Sequence, residues 1–248
     1  MRNVVIVAAA RTPIGSLGGQ FKTITSLDLS IPVMQGLVER AGINPEIIED
    51  VIWGCNYQRT YKENNLARVA AVKAGLPVTV PGITIHRNCT SSMSSIQFGF
   101  YQIMAGEADC IMAGGADSMS TAPHMVFDAR YGKKYGHMEL RDSMWDSLTN
   151  LGVGPAMGIT AENVADEYNV TREEMDAYSL RSQQRAVAAI DAGSSKTKSS
   201  LSLFTARRAM LHTIRTNIQE ETQASRSSQS LSQRSEKTAE LQQVTHLA

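Results

Sequence analysis

Residues 83–106, ITIHRNCTSSMSSIQFGFYQIMAG, hold the reading on which the fold turns. Ile83 to Ile85 is short, apolar and rich in β-branched side chains, which predicts a strand. Met93, Ile96, Phe100, Ile103 and Met104 then recur at three- to four-residue spacing, which predicts a helix beginning just after Cys89 and ending at Gly106. The strand thus delivers the chain to a cysteine facing a helix start. Helix amides carry partial positive charge there, which favours thiolate over thiol and makes a nucleophile. The competing reading is a small buried residue under a serine-rich cap. Thr90, Ser91, Ser92, Ser94 and Ser95 are all small and permit close approach of a substrate or another helix.

Upstream, Asp50 to Trp53 predicts another strand, and Leu66 to Ala74 a helix closed by Gly75. Ser26 and Asp28 suit the cap and first turn of a helix running towards Arg40, with Pro32 tolerated near its start and Ala41 and Gly42 as its stop. Val4 to Ala10 reads as a parallel strand buried on both faces, followed by a turn at Arg11 to Gly15. Downstream, Cys110 to Ala113 predicts a buried strand stopped by Gly114 and Gly115. Strands alternating with helices imply an α/β fold, a parallel or mixed sheet with helices on both faces. From about residue 120 the periodicity weakens into a loop domain ending in helices, one from near Thr160 and one from the cap Thr171, with Glu173 and Glu174 in its first turn, to about Ala192.

Composition excludes several classes. Of 248 residues, 42% are hydrophobic and 19% charged, and 24 basic residues cancel 24 acidic ones, so a nucleic-acid or membrane-surface partner is not expected. Splitting the chain after Gly193 shows that the balance is a sum of opposites, 16 basic against 20 acidic residues before the cut and 8 against 4 after it. Cys55, Cys89 and Cys110 are too few and too widely spaced for a disulfide framework or a zinc site, which fits a reducing cytoplasmic setting. The apolar run at the amino terminus is shorter than a membrane span and lacks a signal-peptide pattern. Cys110 reads as core and Cys55 as a strand-end packing residue. No metal-ligand spacing links the histidines, and His86, three residues before Cys89, reads as structural. Gly114 to Asp117 reads as a tight turn, because no phosphate-loop pattern follows it.

Five segments in order carry a resemblance: VIVAAARTPIG at 5–15, NLAR at 65–68, CTSS at 89–92, AGGADSMS at 113–120 and MGITAENVA at 157–165. Together they resemble the amino-terminal half of the thiolases, the acetyl-CoA acetyltransferase family, over residues 1 to about 193. The resemblance implies a layered thiolase-like fold, of which this chain holds the amino-terminal half and part of the loop domain. It implies Cys89 as the nucleophile that takes an acyl group from acyl-CoA as a thioester, with its amide helping to hold the thioester oxygen. Leu148 and Met157 match positions lining the pantetheine and acyl pocket, although packing residues of the loop domain would look the same. Coenzyme A thioesters are then substrates, no metal or other cofactor is expected, and relatives commonly form dimers or tetramers. Three departures stand out. Ser92 and Ser95 replace a usual Gly and Ala, Ala156 replaces a pocket His found in many members, and the family's Gly-His-Pro histidine and second cysteine have no match after residue 193. Alternatives are a non-catalytic thiolase fragment or a related condensing enzyme of lipid synthesis.

Residues 194–248 contain eleven Ser, seven Thr, six Gln and a single aromatic, Phe204, which is poor material for a core. Residues 194–202, SSKTKSSLS, can be encoded as AGT TCA AAG ACG AAA TCG TCC CTG TCT, which reads KFKDEIVPV when shifted one base earlier behind an A, similar to the family's continuation. Residues 210–218, MLHTIRTNI, give DAPYDTDEH by the same shift behind a G. The expected organisation is therefore an α/β domain over 1–119, a partial loop domain over 120–193, and an out-of-frame, largely disordered tail over 194–248.

Overall fold

The computed structural model describes residues 3–58, 63–149 and 152–194. Expectations for the tail beyond Ser194 lie outside the described residues. The chain divides into two compact units, the first running through Val164 and the second from Ala165.

In the first unit, three parallel strands form one sheet in the order β2-β1-β3: β1 (Asp50–Gly54), β2 (Gly82–Ile85) and β3 (Ile111–Gly115). The register pairs Val51 with Gly82 on one side and with Met112 on the other. Helix α1 (Ser26–Ala41) packs on α2 (Leu66–Ala74), which lies on β1 and β2, whereas α3 (Ser91–Ala105) lies on β1 and β3. Strand connectivity explains this two-sided cover. The step from β1 to β2 and the return from β2 past β1 to β3 run in opposite directions, and right-handed crossovers then place their helices on opposite faces.

Alternation along β1 assigns its side chains. Val51, Trp53 and Cys55 join Leu27, Met34, Leu66, Ala67, Ala70 and Met112 in the core beneath α1 and α2. Gly54 faces the start of α3 on the other side. Gly75 ends α2 in the left-handed region, as expected of it, and Asn65, not singled out as a cap in the sequence, accepts on Oδ1 from the Arg68 amide at the helix start. For α1 the cap is Thr25 rather than Ser26. Its hydroxyl takes the Asp28 amide while the Asp28 carboxylate takes the Thr25 amide. Ser26 is instead buried, and its hydroxyl receives the Ser118 amide.

Val4 to Ala10 does not form the expected buried strand. Val5, Ile6 and Val7 are 73%, 80% and 71% exposed, and the segment joins no ladder among the described residues. β-Branched character favours extended backbone, but a strand exists only where a neighbour completes its hydrogen bonds, and β2, β1 and β3 fill the sheet that is present.

After β3, a two-stranded antiparallel ribbon of β4 (His124–Met125) and β5 (Arg141–Asp142) leads into α4 (Ser143–Thr149). Arg141 clasps Asp146 of α4 with two hydrogen bonds of 2.7 and 2.6 Å, and this pairing holds the Asp146 carboxyl below its ordinary value. Helix α5 (Met157–Tyr168) begins three residues before the expected Thr160. In the second unit, α6 (Arg172–Asp191) starts from the expected cap Thr171, which forms a capping box with Glu174.

Candidate active site

All three strands of the main sheet are parallel, so the loops that follow them share the sheet's carboxyl edge, where α/β folds bind ligands at points of strand-order reversal. Those loops are residues 55–57, 86–90 and 116–118. Cys89 lies in the second. It is exposed, which excludes the reading of a small buried residue under a serine cap. Thr90 occupies the N-cap position of α3, so Cys89 stands just ahead of the helix rather than within its first turn.

A dense set of bonds fixes the turn that carries the thiol. Asn88 adopts the left-handed conformation (φ 47°), and the Thr90 and Ser91 amides donate back to the Arg87 and Asn88 carbonyls at 3.1 Å each. The Thr90 hydroxyl donates to the Arg87 carbonyl at 2.9 Å. Ser91 is buried; its Oγ accepts from the Arg87 amide at 2.8 Å and shares its single proton between the Asn88 carbonyl at 2.7 Å and Asn56 Oδ1 at 2.8 Å. Ser92 and Ser95 of α3 both face the end of β3. Ser92 Oγ lies against Gly115, where a Cβ would also meet the Gly54 carbonyl oxygen at 2.6 Å. Ser95 is buried, and its Oγ sits 2.6 Å from the Ser92 carbonyl and 2.7 Å from the Gly114 carbonyl, joining α3 to β3.

Sequence reasoning took Gly114 to Asp117 as a tight turn and assigned no role to the Asp117 side chain. Asp117, in the loop after β3, receives the Asn56 and Tyr57 amides on Oδ1 at 2.9 and 3.0 Å, with Cys55 Sγ 3.7 Å from the same oxygen. The Tyr57 hydroxyl lies 2.6 Å from Ser147 Oγ on α4, the helix that carries Leu148. Leu148 and Met157 are each about half exposed, Leu148 on α4 and Met157 as the first residue of α5. Hydrogen bonds through Asn56 and Tyr57 therefore connect the Cys89 turn to α4. Among the described residues, no such chain reaches Met157. His86 is exposed at the end of β2, and no group of metal-ligating side chains is present among the described residues.

The three thiols differ in kind. Cys55 is fully buried, and burial first, then the nearby Asp117 carboxylate, pushes its thiol up from 9.0 to about 12. Burial and the Glu49 carboxylate raise the Cys110 thiol as well. Iodoacetamide at pH 8 is therefore expected to label Cys89 first, Cys110 slowly, and Cys55 only on unfolding; peptide mapping over time checks the order. A group raised in the folded state stabilises fully below its unfolded value and loses that contribution as pH climbs to the folded value. Folding stability is thus expected to fall between about pH 9 and pH 12, by up to roughly 1.4 kcal/mol per unit from Cys55, and Cys55→Ala should flatten that slope.

Comparison with known proteins agrees with this architecture. A family model for the thiolase N-terminal domain matches residues 4–200. A probable acetyl-CoA acyltransferase of Staphylococcus aureus (strain COL) is 44% identical over 190 residues, 76% of this chain and 48% of the relative. The crystal structure of Bacillus anthracis acetyl-CoA acetyltransferase superposes with a TM-score of 0.77 at 42% identity, covering 80% of this chain and 50% of that one. Human mitochondrial 3-ketoacyl-CoA thiolase in complex with CoA gives 0.75 at 40% identity, covering 78% and 49%. The chain spans about half the length of the relatives it matches. Its parallel sheet, its cysteine-bearing turn ahead of α3 and these matches place the chain in the thiolase N-terminal domain family.

Proposed function

We propose that this chain carries the acyl-accepting part of a thiolase reaction, with Cys89 as nucleophile. The Cys89 sulfur attacks the carbonyl carbon of acetyl-CoA, a carbon–sulfur bond to Cys89 forms as the one to coenzyme A breaks, and coenzyme A leaves as the thiolate. A second acetyl-CoA, its α-proton taken by the family's second cysteine, then attacks that thioester carbon; the carbon–carbon bond forms as the bond to Cys89 breaks, which releases acetoacetyl-CoA and the Cys89 thiolate, and in reverse coenzyme A cleaves a 3-ketoacyl-CoA. The observation that carries the reading is an exposed cysteine on a braced turn at the carboxyl edge of a parallel sheet, immediately ahead of a 15-residue helix. Backbone amides at that turn, Cys89's own included, suit the thioester oxygen. Leu148 and Met157 supply apolar surface for the pantetheine and acyl groups, and no metal takes part in any step. The setting is cytoplasmic and the partners are acyl-CoA thioesters, while the family's dimers or tetramers are not expected of a chain that spans about half its relatives' length.

A second reading is favoured by the thiols themselves. Thiolase turnover needs a second cysteine to move the substrate α-proton, and Cys55 is buried and held protonated while Cys110 adjoins β3. In that reading the chain accepts an acyl group without completing the cycle. Incubation with radiolabelled acetyl-CoA, followed by an assay of acetoacetyl-CoA thiolysis, separates the two. Label with turnover supports the full reaction, label without turnover supports the half reaction, and no label dependent on Cys89 refutes both. For residues 194–248 we retain the out-of-frame reading. Sequencing the gene across codons 190–196 should reveal a shift relative to the thiolase frame, and a clean in-frame read there would exclude a sequencing error as its source.

A further inference from the structure

The carboxylate of Asp117 takes part in no step proposed above, yet it ties the loop after β3 to the loop after β1. Its backbone is well anchored. The next residue, Ser118, is buried, donates its amide to Ser26 Oγ at 3.2 Å and its hydroxyl to the Ile24 carbonyl at 2.6 Å. The Ala116 amide donates to the Gly54 carbonyl at 3.0 Å, extending the pairing of β3 with β1. From this fixed point a single oxygen, Oδ1, receives two successive amides, those of Asn56 and Tyr57. Two converging amides on one carboxylate oxygen define the orientation of a short loop more tightly than either bond alone.

The two residues held this way point their side chains in different directions. Asn56 reaches Ser91, whose hydroxyl closes the turn bearing Cys89. Tyr57 reaches Ser147, and because the Ser147 hydroxyl already donates to the Met144 carbonyl at 2.8 Å, the tyrosine hydroxyl is the donor in that pair. We infer that Asp117 is a positioning residue with two arms, one through Asn56 that sets the Cys89 turn and one through Tyr57 that sets α4 and its Leu148. This inference rests on the proposed role of Cys89. It deepens that role by naming what aligns the nucleophile with the helix proposed to line the acyl pocket, so that an acyl thioester held against α4 meets a thiol already in register with it.

Two readouts follow the arms separately, and neither needs acyl transfer. The alkylation rate of Cys89 by iodoacetamide reports the turn. Collisional quenching by iodide reports α4, because of the two tryptophans Trp145 on α4 is 63% exposed and Trp53 is 1% exposed. Asn56→Ala is expected to change the Cys89 rate about fivefold, the worth of one lost hydrogen bond, with Trp145 quenching moved less than about twofold. Tyr57→Phe is expected to do the reverse. Asp117→Ala should move both, and Asp117→Asn, which keeps an acceptor oxygen in place, should recover most of each. If Asp117→Ala does not fold, the two single-arm variants still decide. Wild-type values in either arm, or both readouts moving together in both single-arm variants, would overturn the inference. Failure of Cys89 to take an acetyl group from acetyl-CoA would instead overturn the proposed function, leaving both readouts in force.

Discussion

Replacing Gly54 by alanine is expected to unseat the start of α3 and carry Cys89 with it. A Cβ at this position would stand 2.6 Å from the Ser91 carbonyl carbon and 2.6 Å from the Ser92 nitrogen. Both are backbone atoms, held by the bonds that close the 87–91 turn, so neither can swing aside as a flexible side chain would. Either β1 shifts, which disturbs its pairing with β2 and β3, or the helix start lifts away from the sheet. Overpacking of this kind costs about 1–3 kcal/mol and more where backbone is the obstacle, so a loss near 3 kcal/mol is expected for Gly54→Ala. Urea unfolding followed by tryptophan fluorescence measures it. The same variant should alter the alkylation rate of Cys89 even under conditions where it remains folded. An unchanged midpoint with an unchanged Cys89 rate would mean that the sheet and helix do not approach as closely as described.

Trp53→Ala is expected to cost about 3–5 kcal/mol and to leave little folded protein at ambient temperature. The indole is almost wholly buried in the core beneath α1 and α2, and its ring fills the space beside Gly114, whose hypothetical Cβ would lie 2.6 Å from it. Its Nε1–H donates to Ser30 Oγ at 2.9 Å, and Ser30 is itself buried and donates to the Ser26 carbonyl. Truncation therefore opens a cavity and removes a donor from a buried hydroxyl. Trp53→Phe separates the two contributions, since the ring remains and only the hydrogen bond and part of the volume are lost. A phenylalanine variant as unstable as the alanine variant would assign the cost to the hydrogen bond rather than to packing.

The parts of this molecule that were legible in its sequence are those governed by neighbours along the chain. Helix α2 runs from Leu66 to Ala74 with Gly75 at its end, and α6 opens on its Thr171 cap, because caps and helical spacing are written within a few residues. The strand before Cys89 and the helix after it were equally readable. Val4 to Ala10 failed for the opposite reason: its composition suits a strand, but a strand needs a partner that composition cannot supply. Thr25 displaced Ser26 as the cap of α1 because Ser26 is drawn into a contact with Ser118, 92 residues away. The site divides along the same line. Cys89 is proposed from its local setting, whereas Asp117 reads in the sequence as part of a tight turn. Its partners Asn56 and Tyr57 are 61 and 60 residues distant, and only the folded sheet brings them together.

The claim that Cys89 accepts an acyl group is tested most directly by incubating the chain with acetyl-CoA, quenching in acid and mapping the peptides by mass spectrometry. The account predicts one acetyl group on the peptide containing Cys89, removed by hydroxylamine and by excess coenzyme A, and absent from Cys89→Ser. Acetylation that is missing from that peptide, or that persists in Cys89→Ser, would contradict it.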